Sequence, residues 1–149
     1  MKTRFATMDS GLLVLRLGYA ACLIGFHGWT RFFRALDLVV HGTPWPFVNL
    51  VARLGFPYPA TFAVLSALAE SVAALMVAAG FYTRVAAAVI AFNMGVAFYN
   101  EATQWSTGGT PELPALYLIV AVAIAILGAG AFAIDGRRSL QGRAPALRQ

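Results

Sequence analysis

The chain has 149 residues, 60% of them hydrophobic and 11% charged, with a formal net charge of +5 and a mean hydropathy of +0.72. Soluble domains run at roughly half apolar and about a quarter charged, so neither a water-soluble fold nor intrinsic disorder fits. The 11 Lys and Arg are scattered and form no aromatic-basic face, which excludes nucleic acid and leaves the lipid bilayer as the first partner.

In chain order, the first apolar run long enough to cross a bilayer, at about 20 residues, covers 11–33 and carries Arg16 and His27. Lys2 and Arg4 before it imitate a signal peptide. Arg16 interrupts the apolar core, however, and Tyr19 stands where a lipoprotein cleavage site wants an aliphatic residue, so the segment reads as a mature helix. Cys22 is the single cysteine and His27 and His41 are the two histidines. A disulfide, a CxxC pair, an Fe–S cluster and a thiolate zinc site are therefore excluded, and no protein-bound metal or haem is expected. Cys22 reads as a small buried apolar residue.

The first loop has structure of its own. Pro46 suits a first helical turn, Gly55 ends the run and Pro57 forbids its continuation. The reading is a short helix over 45–54 lying in the interface. A second span covers 60–81, interrupted only by Glu70. The tight turn Tyr82-Thr83-Arg84 leads into a third span, 85–100, with Asn93 near its middle. The fourth, 113–134, has no charged residue, and a basic tail follows over 136–149. Backbone groups in lipid must pair internally. The fold class is therefore an all-α membrane protein, a four-transmembrane-helix bundle with a short interfacial helix in the first loop, forming one transmembrane domain over 1–149.

Four spans put both termini on one side. That side would carry Lys2, Arg4, Arg84, Arg137, Arg138, Arg143 and Arg148, against Arg31, Arg34 and Arg53 opposite. The positive-inside rule then makes both termini cytoplasmic.

A charge at the centre of a span costs about 2.5–3.5 kcal/mol on insertion scales, so such residues face protein or water and find partners. Arg16 and His27 fall about 20° apart on one helix face at ~100° per residue. Glu70 lies about 15 Å into its span. These depths predict an Arg16–Glu70 ion pair; an unpaired Glu70 would instead be a proton-carrying acid. Arg84 and Asp135 are expected to meet at the inner surface, and His27 and Glu112 at the outer. Asn93 shares a face with Asn100, as inter-helix glue or as ligand-binding groups. The catalytic candidates are thus Glu70, His27 and Glu112, with Arg16, Arg84, Asn93 and Asp135 forming a ligand-binding or structural polar network.

Leu15-Arg16-Leu17-Gly18, His27-Gly28 with Arg31, Leu54-Gly55-Phe56-Pro57, Glu70, Gly80-Phe81-Tyr82-Thr83-Arg84, Glu112 with Tyr117, and Gly128-x-Gly130 leading to Asp135 together resemble the DoxX family of small four-helix bacterial inner-membrane proteins. The resemblance spans residues 11–135. Where the family often has Pro and Ser before the final Asp, this chain has Ala129 and Ala133. The resemblance implies an inner-membrane protein, multi-pass, associated with quinone- or thiosulfate-linked redox chemistry or with oxidative stress. Arg16, His27, Glu70, Arg84, Glu112 and Asp135 are the family's polar positions carried onto this chain.

Two classes of function remain open beside a subunit of a quinone-linked oxidoreductase: a non-catalytic membrane scaffold for a soluble partner, and a small-molecule binder or transporter. In the first reading His27 donates to a quinone carbonyl and Glu70 or Glu112 relays a proton. No residue set here carries electrons by itself, so quinone is the cofactor or substrate under consideration and a soluble or membrane redox partner supplies the rest. A homo-oligomer is the remaining partner.

Overall fold

The computed structural model describes residues 2–135, with side chains from residue 7 onward; the predicted basic tail, 136–149, lies outside the described residues. Among them every regular element is helical. Helix α1 (Lys2–Leu23), a π-helical turn (Ile24–Gly28) and α2 (Trp29–His41) run on as one rod. The part of this rod from Thr7 to His41 is apolar enough to cross a membrane. At 1.5 Å per residue its 35 residues measure about 52 Å, against a hydrocarbon core of about 30 Å. The helix therefore overshoots the predicted boundary near Phe33. Nothing between 33 and 41 breaks it, and it ends only where Gly42 takes a left-handed conformation ahead of Pro44.

Helix α3 (Pro46–Arg53) starts on a proline, with Trp45 extended as its N-cap. It follows the predicted 45–54 closely. The second rod is α4 (Pro59–Leu68), a second π-helical turn (Ala69–Ala73) and α5 (Ala74–Ala79). Helix α6 (Thr83–Thr103) extends the predicted third span at both ends, and both rods are long and apolar enough to cross.

Helix α7 (Glu112–Leu127) is 16 residues long and stops well short of the predicted Ile134. The reason is Gly128, whose φ of +83° and ψ of −159° leave the helical region. Such a conformation is open chiefly to glycine. From there residues 128–135 form a strap across the end of the bundle where α1 and α6 begin and α5 ends. That end, with Asp9, Gly80 and Asp135, is called proximal below; the end with Gly42, α3 and Trp105 is distal.

In the ring of helices, α1 packs on α5, α2 on α4, α5 on α6, and α6 along α7, which returns to α1. The core is built of small side chains. Ala20, Ala74, Ala86, Ala87 and Ala121 interleave with Leu23, Val77, Ile90 and Ile124, all essentially buried. Small residues allow the close backbone approach on which helix association in lipid depends.

Candidate functional site

The site starts from the backbone. The two π-helical turns face each other in the middle of the bundle, and π-turns often mark functional positions because they redirect side chains out of register. Gly28 closes the first turn, and a Cβ there would stand 2.2 Å from the backbone oxygen of Glu70. Only a residue without a side chain admits that contact. Glu70 is thereby fixed in depth and direction, with 2% of its side chain exposed.

Its carboxylate is held asymmetrically. Oε1 accepts from Arg31 Nη1 at 2.6 Å and from Asn93 Nδ2 at 3.0 Å. Oε2 is buried with no hydrogen-bond partner among the described residues. A buried carboxylate oxygen left bare is costly, and chemically it is the atom available to take up a proton. Around the carboxylate, His27, Tyr19 and Tyr117 lie within electrostatic reach. The His27 and Tyr19 rings both meet Tyr117 edge-on, with centroids 5.9 and 5.6 Å apart. The Tyr19 hydroxyl donates to the Tyr117 carbonyl at 2.9 Å.

Beside this cluster a cleft of about 490 Å³ opens between α4–α5 and α6, roofed by α3. Its walls are largely apolar, with Phe62, Leu65, Val72, Val89 and Phe92 among them, while Arg31, Asn93 and Asn100 supply polar groups. Leu65, Val72, Val89 and Phe92 are also exposed on the flank of the bundle, so the cleft opens sideways. The roof is pinned through Arg31, whose guanidinium carbon sits 4.6 Å from the centroid of the Phe47 ring.

A family model described as DoxX matches residues 11–100, a segment that runs from within α1 through most of α6 and holds Glu70 with both of its partners, Arg31 and Asn93. The chain belongs to the DoxX family. No curated protein and no solved structure matches it. With three apolar rods of crossing length, this DoxX protein is an integral membrane protein.

The polar positions expected from the sequence distribute unevenly in this DoxX chain. Glu70 and Asn93 join the site. His27 lies beside it, against Tyr117 rather than Glu112; Glu112 is exposed at the first residue of α7 and makes no ion pair or side-chain hydrogen bond among the described residues. The predicted Arg16–Glu70 pair does not form. Arg16 is wholly buried at the proximal end, where Nη2 donates to the Phe132 carbonyl at 2.9 Å. Asp135 is the opposite charge acting on it. Asp135 itself accepts from the Tyr82 and Thr83 amides at 3.0 and 2.9 Å and from Thr83 Oγ1 at 3.0 Å. It thereby caps α6 at the turn where Arg84 was expected to meet it. The exposed Arg84 side chain runs beside Gly128. Cys22, expected inside, is exposed on the outer face of α1.

Sequence reasoning missed Arg31 and Phe47. Arg31 lay within the predicted 11–33 span, two residues before its end, and was counted only among the basic residues that set the orientation. The uninterrupted run from Trp29 to His41 was the available signal, since it sets Arg31 one turn beyond His27 on a continuing helix. Phe47 carried no signal beyond being apolar in a short amphipathic segment.

Proposed function

We propose that this DoxX protein is an inner-membrane subunit that binds a lipid-soluble quinone in the lateral cleft and works with a redox partner. The observation that carries the reading is the pairing of an apolar cleft of about 490 Å³ with a few donors at its wall. Ligand sites typically have this volume and this mix of lining. Arg31 and Asn93 are donors suited to a carbonyl head, and the long apolar remainder suits a prenyl tail. Because Arg31 is already neutralised by Glu70, the wall favours a neutral head over a phosphate. A bound quinone would supply an electron-accepting ring that takes up protons as it is reduced; the chain supplies orientation through Asn93 and Arg31, and Glu70 Oε2 would take up a proton and pass it on to the ring.

In this reading α7 with its strap is a fourth crossing. Its 16 helical residues reach about 24 Å, and the strap completes the thickness. Helix α3 lies in the distal interface, and both termini are cytoplasmic, as the balance of basic residues favours.

The test is titration of a short-tailed ubiquinone into the purified protein in phospholipid nanodiscs, followed by quenching of tryptophan fluorescence. Binding should be saturable and weaken about tenfold in Asn93→Leu, the scale of one lost hydrogen bond to a buried head. Absence of saturable quenching rejects the reading. The scaffold alternative draws on the proximal end, where Arg16 and Asp135 serve helix closure. It expects association with a soluble partner to survive Asn93→Leu and quinone depletion alike.

A further inference from the structure

Ligand binding alone gives no reason for Arg31 to hold two elements at once. Its Nη1 bonds Glu70 in the wall of the cleft, while its guanidinium face covers Phe47 in the roof. Apart from Arg31, the roof is held mainly on one side, by its packing on α4. Helix α3 buries Val51 and half-buries Leu50 and Leu54, while Asn49 points outward. The chain enters and leaves α3 through Gly42 and Gly55, with φ of +67° and +82°.

We infer that Arg31 is a latch that ties closure of α3 over the cleft to the charge on Glu70, an inference that rests on the cleft being a ligand site. The carboxylate fixes the guanidinium plane, and a fixed plane is what presents a flat cationic face to an aromatic ring. When Glu70 is neutral the charge-assisted bond is lost. The Arg31 side chain, 33% exposed, can then swing its head toward distal water along its own stem. Phe47 then keeps only its neighbour Trp45 as a ring partner, and α3 tilts on its hinges about its packing on α4.

The groups facing Glu70 are Arg31 from α2, Asn93 from α6, His27 from the first π-turn, Tyr19 from α1 and Tyr117 from α7. Arg31 is the one among them that also reaches Phe47. A proton taken up by Glu70 therefore loosens the roof over a bound molecule, and loss of the proton shuts it.

The experiment uses the full chain in nanodiscs with no quinone present. Spin labels go on Asn49→Cys in α3 and Ala102→Cys at the end of α6, both exposed positions, in a Cys22→Ser background. Double electron–electron resonance reads the distance between them. The parent should give one short-distance population. Glu70→Gln should raise the ratio of open to closed about tenfold, the scale of one partly desolvated cation–π contact. Phe47→Leu, which keeps the roof apolar, should do the same, and the double variant should open no further than either. Glu70→Gln leaving the distance unchanged, or the two effects multiplying, overturns the latch. Unfolding is recognised separately by loss of the cooperative thermal transition. Because no ligand is added, failure here leaves the quinone titration standing, and failure of that titration leaves this result readable.

Discussion

At the scale of single residues, the molecule turns on one carboxylate. A charged group in a bilayer-crossing helix persists where it has partners, and Glu70 has Arg31 and Asn93 on one oxygen and, among the described residues, no partner on the other. Its placement depends on Gly28, since any side chain there meets the Glu70 carbonyl. Gly28→Ala should therefore destabilise the protein by about 1–3 kcal/mol, the usual cost of overpacking. A thermal unfolding series in detergent reads this as a lowered midpoint. Glu70 was legible in the sequence because an ionisable residue inside an apolar run has few innocent explanations. Its partner was not. The Arg16–Glu70 pair was read from depths, but the residue level with Glu70 is Gly28, about 18 Å along the helix from Arg16, and the π-turn before Arg31 shifts the later side chains around the axis. Arg31, beyond that shift, came to face Glu70, while Arg16 was left at the other end of the rod.

At the scale of elements, helix starts and stops decide what the proximal end can do. Tyr82 holds a left-handed conformation, with φ of +45°, which costs a residue with a side chain about 1–2 kcal/mol. Asp135 offsets this by binding the Tyr82 and Thr83 amides, the orphan donors at the start of α6. Asp135→Ala should cost about 0.5–2 kcal/mol, as loss of an N-cap does. The same change should speed hydrogen exchange at the Tyr82 and Thr83 amides, leaving those of the α6 centre protected. The existence of the rods was plain from apolar run length. Their ends were less so: the α7 stop needed Gly128 to be recognised as a terminator, and its apolar neighbours Ala129, Ala131 and Phe132 kept the hydropathy high past the point where the helix had ended. The strap they form is tied down by polar contacts, from the Ala131 amide to Asp9 at 2.9 Å and from the Asp135 amide to the Gly80 carbonyl at 2.9 Å. Hydropathy does not register such bonds.

At the scale of the whole molecule, the proposed orientation makes a direct prediction. In intact cells of a Cys22→Ser background, Thr107→Cys in the distal loop should react with a membrane-impermeant maleimide. Ala131→Cys in the proximal strap should react only after the cells are lysed. The reverse pattern would invert the topology, and reaction at both positions in intact cells would remove α7 as a crossing. The family relationship was readable from spaced fragments of sequence because the composition allowed one fold class and those fragments fall at its turns and polar positions.

The sideways mouth of the cleft has a further consequence. A cavity entered from among acyl chains samples its guests by their mole fraction in the surrounding lipid and not by their aqueous concentration. Diluting the membrane with additional phospholipid, at constant amounts of protein and guest in the tube, should therefore empty the cavity, whereas adding buffer should leave its occupancy almost untouched.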